Sequence, residues 1–232
     1  MVSDQSLARY RRCAADASSG ISNDTIYRTF ERLVSELTLS GDLLDFGAGK
    51  AVLTKRLISL RHFRSIAAVD ILPRPPDLDS AVRWHCNDLN EATDIPNESF
   101  DVIVSAEVIE HLENPRAIAR EWFRILRPGG TLILSTPNNE SWRALISIIV
   151  RGHFVDFGDS SYPAHITALV RKDIKRILSE AGFTFSRFTF SNVGGLPKLP
   201  QVRWQTLTAG FLKGLRFSDN IFALACKNQK AT

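Results

Sequence analysis

The sequence predicts an α/β protein: a mostly parallel sheet doubly wound by helices, with an antiparallel strand at one edge. Three observations predict it. Apolar runs alternate with helix-period stretches between residues 41 and 137, the pattern of a parallel sheet covered on both faces. Three of these runs are each closed by an acid, Asp45, Asp70 and Asp88. The last two apolar runs, around Phe183–Phe190 and Ile221–Cys226, lack a full βαβ spacer between them and so read as an antiparallel pair.

The elements follow in order. Residues 1–22 are polar, contain Ser18-Ser19-Gly20, and read as a loose arm folding over the site. Ile26, Phe30, Leu33, Val34 and Leu37 recur at helical spacing behind a cap at Asn23 or Asp24. Ser40-Gly41 ends that helix, and a first strand runs from Asp42 to Phe46. Gly47 and Gly49 follow at alternate positions, which allows a sharp turn and close approach to the main chain. Val52, Leu53, Leu57 and Leu60 mark the next helix, and Ser65–Asp70 a second strand. Pro73, Pro75 and Pro76 break the chain before a third strand, Val82–Cys86. Phe100–Ser105 is the fourth. Asn114-Pro115 caps a helix with its inner stripe at Ala117, Ile118, Trp122, Ile125 and Leu126. Pro128-Gly129-Gly130 turns into a fifth strand, Thr131–Ser135.

The pattern then changes. Trp142–Val150 is apolar and helical, and 151–166 mixes His153, Phe154, Phe157, Tyr162 and His165 with glycine and proline, as a lid would. Lys172–Ala181 is a helix stopped by Gly182. The expected organisation is one domain over 1–232: arm and cap helix to 40, a cofactor-binding half over 41–137, a lid over 138–170 and a C-terminal half from 171.

Composition narrows the classes. With 232 residues, 44% hydrophobic and 23% charged, the chain suits one sizeable core. A net charge of +4 gives no clear nucleic-acid signal. The longest apolar run, Ala144–Val150, is far too short to span a bilayer, and the polar start lacks a signal core. Cys13, Cys86 and Cys226 are scattered and odd in number, which fits a reducing cytoplasm.

The glycine turn admits two ligand classes. A dinucleotide fingerprint, G-x-G-x-x-G, fails because Val52 stands at its last position. An NAD-dependent oxidoreductase is therefore disfavoured. Asp70 lies 21 positions beyond Gly49, a spacing that suits a carboxylate on a ribose. Each acid alone is commonly a cap or a solvated charge; together they suit one nucleoside-bearing ligand across the strand ends.

Six segments in their order resemble the class I S-adenosylmethionine-dependent methyltransferases: Asp45-Phe46-Gly47-Ala48-Gly49, Val69-Asp70, Asn87-Asp88-Leu89, Phe100–Ile103, Glu107-Val108-Ile109-Glu110-His111-Leu112 and Leu126–Gly130. Within that class the chain is similar to the small-molecule and glycan-modifying branch. The ubiquinone-pathway O-methyltransferases share its Glu-Val-Ile-Glu-His segment. The resemblance implies a seven-stranded sheet of order 3-2-1-4-5-7-6 and S-adenosylmethionine as cofactor, released as S-adenosylhomocysteine. It places Gly47, Gly49 and Asp45 at the methionine part, Asp70 and Ile71 at the ribose, Asp88 and Leu89 at the adenine, and Ala106 and Glu107 at the sulfonium. Ala51 stands where the family usually has a third glycine, which implies tolerable crowding.

A hydroxyl acceptor has to lose a proton, so His111 and His165 are the candidate bases, each equally readable as a structural histidine. Glu107 and His111 do not form an H-E-x-x-H pair, so no metal is assigned. Trp142, Arg143, His153 and Tyr162 are the candidate acceptor-pocket residues; the aromatics among them equally suit packing of the lid. The expected reaction is methyl transfer to oxygen or nitrogen of a small-molecule or glycan-type acceptor. The alternatives are a quinone-like lipid acceptor or an inactive cofactor-binding partner subunit. Residues 196–216 carry Lys198, Arg203, Lys213 and Arg216 and no acid. They suit a solvated surface, an anionic acceptor, or an anionic membrane entered by Trp204, Leu207 and Phe211. The oligomeric state is left open.

Overall fold

A computed structural model describes residues 4–229 of the chain. Its main sheet is built from β1 (Gly41–Phe46), β2 (Phe63–Asp70), β3 (Arg83–Cys86), β4 (Phe100–Ala106), β5 (Leu126–Pro137), β6 (Thr184–Phe190) and β9 (Asn220–Cys226). The strand order is β3-β2-β1-β4-β5-β9-β6, with β9 antiparallel to both its neighbours and the other pairs parallel. This is the expected seven-stranded order, with β9 as its last strand in sequence.

Alternation along the strands divides the core. Leu44 and Phe46 of β1 face one side with Ile103, Leu132 and Leu134. That side is covered by α4 (Pro115–Ile125) and α6 (Arg171–Glu180), through Ile118, Trp122, Ile174 and Leu178. Trp122 meets Phe46 edge-on at 5.8 Å. Leu43, Val102, Val104 and Ile133 face the other side, under α2 (Asp24–Glu36) and α3 (Val52–Leu60). A one-residue slip of β1 would exchange these two sets, so the register is fixed by burial. Side chains cap the covering helices: Asn23 accepts from the Ile26 N–H, and Asn114 from that of Ala117 behind Pro115.

The structure departs from the sequence reading in three places. Residues Asp4–Ala17 are helix α1 rather than a loose arm; residues 1–3 lie outside the described part. The helix is held through the side chain of Arg11, a tertiary tie that local composition does not reveal. The Pro128-Gly129-Gly130 turn lies within a longer β5, bulged so that Phe100 pairs with Leu126 and Val102 with Thr131. The basic stretch holds a hairpin, β7 (Gly195–Leu196) with β8 (Leu199–Arg203), then the short α7 (Trp204–Leu207). Between β5 and α6 lies α5 (Trp142–Arg151), capped by Ser141.

Strand order reverses between β1 and β4: from β1 the chain moves outward to β2 and β3, then returns to β4 on the other side. A crevice opens at the carboxyl ends of strands at such a switch point.

Candidate functional site

The crevice holds a cavity of about 260 Å³. Asp45, Gly47, Gly49, Asp70, Ile71, Asp88, Leu89, Ala106, Glu107, His111 and His165 all border it. The structure therefore brings together every candidate cofactor residue and both candidate bases. Tyr10, Arg11, Ile26, Tyr27, Leu112 and Ile166 complete much of the wall.

Asp45 closes β1 almost fully buried, at 1% exposure. Its Oδ2 accepts from the Thr54 hydroxyl at 2.6 Å, while Oδ1 has no hydrogen-bond partner. Burial pushes its carboxyl up to about 7, with the nearby Asp70 charge adding to the rise. A cationic donor would satisfy the orphaned oxygen. Asp70 closes β2. Its Oδ2 accepts from the Gly49 N–H at 2.7 Å and its Oδ1 from that of Leu72 at 2.8 Å. Burial raises this carboxyl against those two bonds. Each oxygen keeps a lone pair, so a vicinal diol can still be accepted.

The glycines serve the chain's own packing. A Cβ on Gly47 would lie 2.3 Å from a Val108 methyl, and one on Gly49 would lie 2.4 Å from the Gly20 carbonyl oxygen. Both have positive φ. The Gly20 carbonyl also accepts from the Lys50 N–H at 2.9 Å. The arm thus lies directly on the glycine turn. Ala51 follows with φ 58° and no exposure. The departure from glycine is felt as a left-handed backbone conformation, which costs an L-residue about 1–2 kcal/mol.

Asp88 is engaged by the arm. Arg11 reaches its Oδ2 at 3.0 Å, Glu91 at 2.7 Å and Glu113 through two bonds at 2.9 and 2.8 Å. Oδ1 of Asp88 accepts from the Asn90 N–H at 2.9 Å. One arm residue earlier, the Tyr10 hydroxyl donates to that of Tyr162 at 2.7 Å. Sequence reasoning passed over both arm residues because their partners lie 77 or more positions away.

On the same cavity, the 3₁₀ turn Ile109–His111 presents His111 to His165, the rings 4.7 Å apart and edge-on. His111 Nδ1 donates to the Ala164 carbonyl at 2.8 Å, and His165 Nδ1 to that of Asp156. A carbonyl can only accept, so each Nδ1 carries the proton; the Nε2 of His165 keeps its lone pair, while the His111 ring also meets the Glu107 carbonyl. Burial lowers the proton affinity of both rings. Glu110, with no exposure, accepts from Thr136 through Oε2 and has Oε1 unpartnered; burial pushes it up to about 8. Ligating atoms of Glu110, His111 and His165 lie within 4.8 Å of one another, a donor set suited to a divalent cation. Glu107 has φ 56° and accepts from Ser135 at 2.7 Å and Asn220 at 3.0 Å. Burial and Glu110 hold it well above the usual carboxylate range.

The candidate acceptor residues lie elsewhere. Trp142 stands outward with the Arg216 guanidinium over its ring, and Arg143 turns to Asp219 at 3.6 Å. His153 Nδ1 bonds the Phe154 carbonyl. Tyr162 meets the cavity only through Tyr10. Arg143 is half-buried, and its partner Asp219 accepts from the Asn138 N–H just past the end of β5, so only Trp142 of the two is exposed.

A methyltransferase-domain family model matches residues 10–186. The chain belongs to that family. Among similar proteins are the mitochondrial ubiquinone biosynthesis O-methyltransferase of Candida albicans, 27% identical over 70% of this chain and 53% of its own length. Another is the ubiquinone biosynthesis O-methyltransferase of Xanthomonas oryzae, 32% identical over 45% of this chain and 46% of its own length. The chain thus spans about half the length of these curated relatives. Solved methyltransferase structures share the fold. The Haloferax volcanii methyltransferase bound to the Trm112 activator superposes with a TM-score of 0.65 at 14% identity, covering 95% of this chain and 98% of that one. An S-adenosylmethionine-dependent methyltransferase of Mesorhizobium loti gives 0.57 at 15%, covering 84% and 97%.

Proposed function

We propose that this methyltransferase-family chain transfers a methyl group from S-adenosylmethionine to a hydroxyl oxygen of a quinone-like lipid. The observation that carries the reading is one cavity bordered both by acids closing three consecutive parallel strands and by the paired imidazoles of His111 and His165. The sequence put a small-molecule or glycan acceptor first. The names of the relatives, ubiquinone biosynthesis O-methyltransferases, support the lipid alternative. The apolar wall formed by Ile26, Leu112 and Ile166 suits a greasy acceptor better than a sugar.

Asp70 accepts both ribose hydroxyls, and Asp88, with Leu89 beside it, takes the adenine amine. The orphaned Asp45 oxygen attracts the cationic methionine amino group, near Gly47 and Gly49. Ala106 and Glu107 border the sulfonium, whose attached methyl is already activated for transfer. The protein's work is then to align the acceptor oxygen, exclude water and remove one proton. His165 or His111 takes that proton at Nε2, its Nδ1–H anchored to main chain.

Titration calorimetry tests the cofactor part. S-adenosylhomocysteine binds and NAD does not; Asp70→Ala weakens the former by at least about tenfold, one charge-assisted pair of bonds lost. Unchanged affinity would remove Asp70 from the ribose. Methyl transfer to a catechol bearing a prenyl tail tests the rest. His165→Ala lowers turnover while S-adenosylhomocysteine affinity stays; full activity would leave His111 as the base. Cofactor binding with no transfer to any phenolic acceptor would favour the inactive partner subunit.

A further inference from the structure

We propose that the face formed by the end of α5 and the β7–β8 turn docks on the surface of an anionic lipid bilayer. Two segments nearly fifty positions apart meet there. Val150 and Arg151 of α5 border one depression together with Ile146, Val155, Lys198 and Pro200. Around it stand side chains that a solvated surface would not select: Ile149 is 80% exposed, Val150 66% and Leu199 57%. Arg151 and Lys198 are exposed too, and among the described residues neither has an ion-pair partner. Neither Trp142–Arg151 nor residues 195–213 contain a single Asp or Glu. Apolar tips flanked by unneutralised cations match an interface that offers hydrocarbon below and phosphate above.

Charge selects this occupant over a second copy of the chain. A two-fold contact through the same face would bring Arg151 and Lys198 of one copy towards those of the other, with no carboxylate in either segment to offset them. The docking face also differs from the one expected from residues 196–216 alone. Of that segment's apolar residues, Trp204 packs on Phe217 at 5.5 Å, while Leu207 and Phe211 stay exposed at 62% and 88%. The contribution of α5 comes from outside that segment.

The face has a physical link to the cavity. Val155 borders the depression, and the next residue, Asp156, offers the carbonyl that anchors His165 on the cavity wall. Docking face and cavity therefore share one loop. The inference stands on the surface itself and does not rest on the acceptor proposed above.

Vesicle co-sedimentation of the full chain tests it. Vesicles of phosphatidylcholine mixed with phosphatidylglycerol are expected to bind the protein, pure phosphatidylcholine much less, and added salt to release it. Ile149→Asp with Val150→Asp, and separately Arg151→Glu with Lys198→Glu, should each reduce binding by at least about tenfold. S-adenosylhomocysteine affinity should be unchanged in both, showing an intact fold. If a double variant unfolds, Lys198→Glu alone, on an exposed turn, should still weaken binding severalfold. Equal binding to neutral and anionic vesicles, binding indifferent to these substitutions, no binding, or a concentration-dependent dimer that the variants abolish would each overturn the assignment.

Discussion

Asp45 shows what a buried acid does for a site of this kind. Its carboxyl, pushed up to about 7 by burial, is protonated in the folded chain over a range where the unfolded chain is ionised. The native state then binds more protons than the unfolded state between about pH 4 and 7, so stability falls as pH rises through that window. Asp45→Asn should flatten this fall, raising the melting temperature of the ligand-free protein by a few degrees at pH 8 and changing it little at pH 4. The same variant should bind S-adenosylhomocysteine more weakly at pH 8, since its carboxylate no longer meets the ligand's ammonium. Melting curves across pH check the first claim; an unchanged slope would mean that other buried acids, Asp70 and Glu110 among them, carry the dependence. At this scale the sequence marked the acids and the glycine turn, but not what the glycines make room for. Asp45, Asp70 and Asp88 announce themselves by closing strands. That Gly47 makes room for Val108, and Gly49 for Gly20, depends on contacts that no local pattern encodes.

Among the elements, α1 is the one whose consequences are least local. Arg11 gathers Asp88, Glu91 and Glu113, and its side chain is only 12% exposed despite lying on a surface helix. These partners hold the guanidinium firmly protonated. With three carboxylates left unneutralised, Arg11→Ala should loosen α1 over the cavity. S-adenosylhomocysteine should then dissociate about tenfold faster, the equivalent of one charge-assisted bond. Stopped-flow displacement measures this; an unchanged rate would make α1 a static wall. Helices and strands with a clear period, such as Asp24–Glu36 and Phe63–Asp70, were legible within a few residues of their ends. The hairpin Gly195–Arg203 was not, because only four residues separate the start of β7 from Pro200, and Pro197 and Pro200 hide the alternation.

The parallel α/β architecture follows from where helical and apolar runs alternate, while the strand order came from the resemblance to the methyltransferase class. The crevice at the β1/β4 reversal is a property of the topology, so the cofactor side of the cavity was readable as well. The acceptor side was not. Trp142, Arg143 and His153 do not border the cavity; Trp142 is exposed under Arg216, while Arg143 is half-buried against Asp219. No helix among the described residues is long and apolar enough to cross a membrane.

The hydroxyl of Tyr10 holds that of Tyr162 across 152 positions of sequence. A latch of that kind couples two leaves of one door: neither the first helix nor the segment before α6 swings alone while it is made. At about 1 kcal/mol for a single exposed bond, the latch biases the two leaves to move together without bolting the door.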